Sequence, residues 1–388
     1  MRVLLAFDKF KDAIQAEEAC RLAGEALGRR YQNAVMDLCP LTDGGEGFAG
    51  ILTHSSQGEL VRQKVTGPLG RPVEGEFGLI PFHQLTPKVR RLLGIADRQE
   101  GILGVVDMAS ASGLAQILKK ERNPWKTTSR GTGELCLGAV ERGADLLVLG
   151  IGGSATSDLG LGCLQALGLH ARGGDGRGII NLCPEQWKNV SVLEGSLPSG
   201  FPPLRVACDV ANPLLGPRGM VRVYGPQKGL PAEDLAAFEK DAELMAGKLL
   251  ERTGKSKDLM QNPGAGAAGG IGFGLMAWAG AQMISGAELV LAWLDLPARI
   301  RAADLILTGE GRFDQSSLEG KGPSAVTNLA LAAGKRVHVF AGSVEKGFLP
   351  PAGLSLHAIT PEGMALSEAL ERTGELLQWA VSAADLEL

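Results

Sequence analysis

The sequence predicts an α/β protein with an open, mostly parallel Rossmann-like sheet and a smaller α/β domain inserted into it. Two observations favour this fold class. Short apolar runs, such as residues 3–7, 146–150 and 337–341, are typical of strands buried on both faces of a parallel sheet. Such runs are followed by small or polar residues and then by a segment of helical periodicity. This order is the alternation of strands and helices found in α/β folds.

The amino-terminal third predicts a strand at 3–7, a helix through Leu27 and a second strand that ends before Pro40. The TDGGEG run at 42–47 is expected to open a short helix. From about residue 59, apolar and polar residues alternate around a Gly-Pro turn, which is typical of a hairpin. The run GILGVV then predicts another buried strand.

The β-α pattern returns at Thr127, and the remaining elements are assigned from apolar runs, prolines and glycines. We expect helices through Arg142, at 159–169, from Pro231 to about Thr253, within 264–283, at 323–333 and at the carboxyl end; strands are expected at LLVLGI, RVACDV, LILT, VHVFAG and LSLHAIT. RVACDV is the clear strand expected between residues 180 and 262.

Near residue 59, continuous apolar runs give way to alternating apolar and polar residues, and from this change we predict a division of the chain into domains. We assign residues 1–58, 125–172 and 263–388 to the Rossmann-like domain, and residues 59–124 and 173–262 to the inserted smaller domain.

The composition points to a globular protein with a small ligand. The 388 residues are 45% hydrophobic, enough for a large core, and 39 basic against 43 acidic residues give a net charge of -4. This balance argues against nucleic-acid and membrane partners. The six cysteines form no CxxC pair, which favours reduced thiols in the cytoplasm. No apolar stretch has the length and continuity that a membrane span needs.

Two glycine runs are candidate phosphate-binding turns. In LLVLGIGGS, glycines 150, 152 and 153 let the backbone approach a bulky ligand, and Ser154 offers a hydroxyl; the alternative is a tight corner with no ligand. In PGAGAAGG, the alternative is close helix packing through small residues. Gly264, Gly266 and Gly269 match GxGxxG, but no strand precedes them, so a dinucleotide fingerprint is not indicated. The P-loop and serine-elbow motifs are absent.

Polar residues recur where the predicted strands end. Since the carboxyl ends of parallel strands share one edge of a sheet, we expect five such stretches to converge on one cleft. Carboxylates in turns there are candidate Mg²⁺ ligands, and basic residues there can hold anionic oxygens. The acids are Asp43, Asp158, Asp209, Glu310 and Asp314, and the bases are Lys9, Lys11, Arg130, Lys228, Arg312 and Lys321. Helix capping is the ordinary alternative for Asp158.

Ten segments, in order along nearly the whole chain, resemble the bacterial glycerate kinase family. They are AFDKFKDAIQAEEA, LTDGGEGF, DMASASGL, TTSRGTGEL, GIGGSATSDLG, RVACDVANPLLGPRG, VYGPQKG, PGAGAAGG, LILTGEGRFDQSSLEGKGP and FAGSV. The resemblance implies ATP- and Mg²⁺-dependent phosphorylation of D-glycerate at its 2-hydroxyl, giving 2-phosphoglycerate and ADP. It also implies two α/β domains, the smaller inserted in the larger.

We assign roles to individual residues on the basis of this resemblance. The assigned residues are Asp43 and then Asp158 as catalytic; Asp8, Lys9, Lys11, Ser129 and Arg130 for glycerate; Gly152, Gly153, Ser154, Gly264, Gly266, Gly269 and Gly270 for ATP; and Asp209, Glu310 and Asp314 for Mg²⁺. The alternatives are a kinase for another small hydroxy acid and a non-catalytic regulator that binds a phosphorylated metabolite. The sequence does not determine the oligomeric state, for which a homodimer is the candidate.

Overall fold

The computed structural model describes residues 1–314, 322–345 and 347–386. The strands are β1 (Arg2–Phe7), β2 (Val35–Leu38), β3 (Glu59–Thr66), β4 (Pro72–Pro81), β5 (Ile102–Asp107), β6 (Leu146–Gly150), β7 (Leu169–Gly173), β8 (Gly178–Ile179), β9 (Val190–Gly195), β10 (Leu204–Ala207), β11 (Gln282–Ile284), β12 (Leu305–Phe313), β13 (Val337–Val344) and β14 (Leu354–Ala358). The α-helices are α1 (Ala16–Arg30), α2 (Phe48–Ser55), α3 (Pro87–Leu92), α4 (Met108–Ser112), α5 (Arg130–Glu141), α6 (Leu161–Ala166), α7 (Met220–Tyr224), α8 (Leu235–Thr253), α9 (Ile271–Ala279), α10 (Gly286–Trp293), α11 (Leu296–Ala302), α12 (Pro323–Ala332), α13 (Leu366–Glu371) and α14 (Thr373–Ala383).

The chain forms two compact units. Unit 1 consists of Met1–Asp43 and the segment from Val290 onward, and unit 2 consists of Gly44–Leu289.

Unit 1 contains a parallel sheet in the order β14-β13-β12-β1-β2. Alternate residues of β1 pack against α1 and α14 in one apolar core. Phe7 at the end of β1 lies in register with Gly309 of β12, so Asp8 and Glu310 follow at the same edge. The predicted strands of this part of the chain are confirmed: the apolar runs of β1, β12 and β13 are buried in the middle of the sheet, whereas β2 and β14 are its more exposed edge strands.

Unit 2 contains a mixed sheet in the order β11-β10-β6-β5-β4-β3. Strands β5, β6, β10 and β11 run parallel, whereas β3 and β4 form an antiparallel hairpin that pairs with β5. A second sheet, β8-β7-β9, is antiparallel. The prediction of an α/β fold with a mostly parallel sheet is therefore confirmed.

The division of the chain differs from the predicted one. Hairpin β3–β4 extends the same sheet as β6, so residues 59–124 and 125–172 share one unit. The inserted unit is Gly44–Leu289, and the residues before and after it form unit 1. A change from a continuous apolar run to alternating apolar and polar residues indicates a strand with one exposed face, and it does not require a domain boundary. Between 180 and 262, β9 (Val190–Gly195) is an additional strand that the sequence reasoning missed.

No helix in the described part of the chain is both long enough and apolar enough to cross a membrane.

Candidate active site

The glycine turn that follows β6 packs directly on the turn before α2, within unit 2. The Gly152 amide donates to the Gly44 carbonyl over 2.9 Å. A Cβ at Gly150 would lie 2.7 Å from the same carbonyl oxygen, and one at Gly152 would lie 2.8 Å from the Gly45 backbone. Gly153 is exposed and has a positive φ of 70°. The glycines at 150 and 152 therefore allow backbone packing, and Gly153 provides the open left-handed corner.

Ser154, the last residue of this turn, contacts a buried lysine. Lys228 closes the short 3-10 helix Pro226–Lys228 and is 2% exposed. Its Nζ donates to Ser154 Oγ over 2.9 Å and to the Thr156 carbonyl over 2.6 Å. Burial lowers the pKa of Lys228 to about 7, an effect that the negative charge of Asp158 opposes. The turn is therefore in contact with a lysine side chain that comes from a distant part of the sequence.

Asp158 is fully buried and fixes the starts of two helices. Its Oδ2 accepts the Ser129 amide and hydroxyl, both over 2.8 Å, and the Gly162 amide over 3.1 Å; its Oδ1 accepts the Gly160 amide over 3.2 Å. Ser129 precedes α5, and its hydroxyl also accepts the Cys163 amide over 2.9 Å. Burial raises the pKa of Asp158, and these hydrogen bonds oppose the rise. The catalytic role of Asp158 stays a prediction, since capping accounts for its contacts.

Arg130 begins α5 and forms an ion pair on the same helix. Its Nε lies 2.8 Å from Glu134 Oε1, and both side chains are partly buried. Glu134 also accepts the Thr66 amide over 2.7 Å and the Thr66 hydroxyl over 3.0 Å. These contacts hold one edge of the guanidinium in place, which suits a residue that binds an anion with its other edge.

The second glycine run is closely packed against other backbone segments. A Cβ at Gly266 would lie 2.1 Å from the Pro213 carbonyl oxygen, and one at Gly269 would lie 1.9 Å from the Thr156 carbonyl oxygen. Gly264 and Gly270 are buried as well. Packing explains the small residues here, as the alternative interpretation of this run expected, and nucleotide binding by the run stays a prediction.

Asp209 follows β10 and binds the start of α10. Its Oδ1 accepts the Ser285 hydroxyl over 2.8 Å, and its Oδ2 accepts the Ala287 amide over 2.9 Å. Helix capping thus engages both carboxylate oxygens. Metal binding by Asp209 stays a prediction.

In unit 1, two carboxylates interact at the carboxyl edge of the sheet. Asp8 accepts the Lys9 amide over 2.7 Å, and its own amide donates to the Gly309 carbonyl over 3.0 Å. Burial and the negative charge of Asp43 raise the pKa of Asp8 to about 6. Asp43 itself is exposed. Two carboxylates thus repel each other at this edge of the sheet, and a bound cation would reduce that repulsion.

The other predicted residues of unit 1 follow the same strands. Glu310 is partly buried and lies in register with Ala341 of β13. Asp314 Oδ2 lies 3.3 Å from Arg312 Nε. Lys11 is exposed, and the basic candidate Lys321 lies outside the described residues.

Sequence reasoning left two buried charged residues of unit 2 outside the assigned roles. Lys228 was only one of several basic candidates, and nothing near it in the sequence indicates that it reaches Ser154. Asp107 at the end of β5 accepts the Ser110 amide over 2.7 Å, and burial raises its pKa to about 6. The signal for Asp107 was available, because an acid directly after an apolar strand and before small residues is typical of a helix cap.

Among the described residues, no three His, Cys, Asp or Glu side chains are grouped to hold a metal ion. Mg²⁺ in phosphoryl-transfer sites is commonly held by one or two carboxylates together with substrate phosphates. Asp8 and Asp43 of unit 1 fit that type of binding, because the repulsion between these two carboxylates favours a cation.

Comparison with known proteins assigns the family. The model of the glycerate kinase family matches residues 3–385. A glycerate kinase from Halalkalibacterium halodurans is 36% identical over 97% of this chain and 96% of its own. A glycerate 2-kinase from Escherichia coli is 37% identical over 89% of this chain and 86% of its own. A crystal structure of a Salmonella typhimurium LT2 protein, provisionally named glycerate kinase 2, matches with a TM-score of 0.73 and 33% identity over 98% of this chain and 96% of that chain. The chain therefore belongs to the glycerate kinase family of phosphotransferases.

Proposed function

We propose that the protein transfers the γ-phosphoryl group of ATP to the 2-hydroxyl of D-glycerate, giving 2-phosphoglycerate and ADP. The observation that carries this proposal is the similarity along most of the chain to a relative named glycerate 2-kinase. The exposed glycine corner at the end of a parallel strand is consistent with it, because such corners bind phosphates.

The proposed phosphate-binding residues are Gly152, Gly153 and Ser154. The Gly152 amide donates to the Gly44 carbonyl, and this hydrogen bond helps to hold the turn in place without a ligand. Gly153 leaves room for a close approach because it has no side chain and is exposed. A turn that is already held in place loses less conformational freedom when a ligand binds, which lowers the entropic cost of binding.

Magnesium, when bound, would neutralise charge on the transferring phosphoryl group. We assign its carboxylate ligands to Glu310 and Asp314. Asp209 fits less well, because both of its oxygens accept hydrogen bonds from the start of α10.

For the acceptor substrate, we propose that Lys9, Lys11 and Arg130 bind the glycerate carboxylate and that Asp43 orients or deprotonates the hydroxyl. Asp43 is exposed, so it is accessible to a substrate, and its negative charge acts on the neighbouring carboxylate of Asp8. Ser129 is buried, and its hydroxyl serves Asp158 and Cys163. It contributes by fixing the start of α5, on which Arg130 lies.

The decisive experiment is incubation with ATP, Mg²⁺ and D-glycerate, followed by identification of the product by ³¹P NMR. Formation of 2-phosphoglycerate supports the proposal, whereas 3-phosphoglycerate would overturn the position of transfer. A panel of small hydroxy acids, assayed by ADP release, tests the alternative acceptor. Ligand binding in a calorimeter without ADP formation would favour the regulator.

The role of Asp43 is tested by Asp43→Asn in the same assay. We expect kcat to fall by about 10²- to 10⁴-fold, as for the loss of a general base, with an unchanged far-UV circular dichroism spectrum. Asp97→Asn, at another exposed aspartate, is the matched control. Near-normal turnover of Asp43→Asn would remove Asp43 from the mechanism.

We also propose a cytoplasmic location, which the absence of disulfides among the described cysteines supports. A homodimer is the proposed assembly, and sedimentation velocity would test it.

A further inference from the structure

Lys228 is an unusual residue because a lysine is rarely buried without a function. Its side chain is 2% exposed, and it ends in the interior of unit 2 against the turn that follows β6. The residues that surround Nζ supply two oxygen acceptors, Ser154 Oγ and the Thr156 carbonyl. Neither contact is a carboxylate, so the lysine does not serve as half of a buried ion pair at contact distance.

The direction of the hydrogen bond at Ser154 follows from chemistry. A lysine ammonium has three hydrogens to donate and no lone pair, so Ser154 Oγ must accept from charged Lys228. The hydrogen of the Ser154 hydroxyl is then directed away from Lys228. Next to Ser154, Gly153 is the exposed corner of the same turn.

We propose that Lys228 is a positioning residue for the nucleotide: it fixes the Ser154 hydroxyl as a donor to a phosphate oxygen of ATP. The inference rests on the proposed function of the glycine turn. The positive charge also strengthens this donor, since a hydroxyl that accepts from a cation donates more strongly to the next acceptor.

One further observation supports a ligand that accepts hydrogen bonds near this turn. The hydroxyls of Thr156 and Ser157 are buried and have no hydrogen-bond partner among the described residues. The charged groups near Lys228 are Asp158, which attracts its ammonium, and Arg122, which donates to the neighbouring Gln227 carbonyl over 3.4 Å. With burial, the pKa of Lys228 is about 7, so an anion bound at Ser154 should raise the fraction of charged lysine.

The experiment measures ATP binding by titration calorimetry without glycerate, so that turnover is not required. The wild type is titrated at about pH 8, one unit above that pKa, in two buffers of different ionisation enthalpy. Lys228→Met, Ser154→Ala, the double variant and the exposed-lysine control Lys240→Met are treated identically. We expect proton uptake by the wild type and Lys240→Met, and none by Lys228→Met.

The affinities test whether Lys228 acts through Ser154. We expect Lys228→Met and Ser154→Ala each to weaken ATP binding by about 10- to 100-fold, the range for a hydrogen bond that involves a charged group. If Lys228 acts only through Ser154, the double variant should bind ATP with about the same affinity as whichever single variant binds ATP more weakly. Additive losses, or wild-type affinity of Lys228→Met, would overturn the inference.

The two proposals fail in different ways. ATP binding with proton uptake but without phosphoglycerate formation would refute only the proposed function. Turnover by the wild type together with unchanged binding by Lys228→Met would refute only the positioning role. If Lys228→Met does not fold, wild-type affinity of Ser154→Ala for ATP still overturns the inference, because the proposed role of Lys228 acts through that hydroxyl.

Discussion

Replacing Asp158 by asparagine separates a structural role of this carboxylate from a catalytic one. Four donors converge on its two oxygens, three on Oδ2 and one on Oδ1. An asparagine with its oxygen at the Oδ2 position keeps three acceptor contacts and turns its amide toward the Gly160 amide. Two buried donors, the Gly160 amide and the amide of the asparagine, then lack an acceptor, and each costs about 1–3 kcal/mol. Removal of the buried negative charge offsets part of this cost, so we expect Asp158→Asn to destabilise the protein by about 2–4 kcal/mol.

Asp158→Ala is expected to be more damaging, because all four donors lose their acceptor and a cavity forms. We expect a loss of about 4–5 kcal/mol, at the upper end for single substitutions. Denaturant unfolding followed by circular dichroism measures both changes. Asp145→Asn is the matched control, since Asp145 is exposed and accepts one amide, that of Ile102, over 2.8 Å.

Turnover of the folded Asp158→Asn enzyme decides between the two roles. If Asp158 only caps α5 and α6, kcat should stay within about threefold of the wild type, because a change of that size is under 1 kcal/mol in the barrier. A fall in kcat of about 100-fold or more, with the free energy of unfolding and the affinity for ATP both unchanged, would refute the structural interpretation and support Asp158 as a catalytic residue.

Three further predictions concern single side chains. Gly269→Ala should destabilise by about 3 kcal/mol or more, because φ is 71° and the new Cβ would meet the Thr156 carbonyl oxygen at 1.9 Å; Gly254→Ala, with φ 65° and open space, should cost about 1 kcal/mol in the same unfolding assay. Burial raises the pKa of Asp107 from 3.8 to about 6, so the wild type should lose up to about 3 kcal/mol of stability relative to Asp107→Asn as the pH rises from about 4 to about 6; parallel pH profiles would disprove this. A thiol reagent should label Cys208 first in the native protein, because it is the partly exposed cysteine, and mass spectrometry of the labelled peptides would expose a different order.

Much of the fold could be predicted from the sequence because buried parallel strands leave a strong local signal. The run at 146–150 is buried at every position, as its composition indicates. The predicted start of α2 was too early in the sequence. Gly44 and Gly47 have positive φ, so TDGGEG is a turn, and the helix begins at Phe48. Glycine-rich segments before a helix do not show in sequence which residue enters it.

The pairing of strands could not be derived from local patterns. The hairpin β3–β4 was correctly recognised from alternation, yet whether it joins β5 or forms its own sheet depends on contacts between distant segments. For the same reason, the contact of Lys228 with a serine 74 residues away was out of reach. Sequence identifies a residue type and its local element, whereas burial and partners are set by the tertiary structure.

Among the glycines after β6, backbone packing explains some positions, whereas phosphate binding is a possible role only for others. Gly152 is needed for packing, since any side chain would meet the Gly45 backbone at 2.8 Å. At Gly153, a Cβ would lie at an ordinary 3.4 Å from Ala109 Cβ, and the residue is exposed, so the positive φ of 70°, and not packing, favours a glycine there. Loss of activity in a Gly152 variant would therefore reveal nothing about ligand binding, because the turn itself would shift. A substitution at Ser154, where neighbouring backbone does not exclude a side chain, is the one that reports on the phosphate.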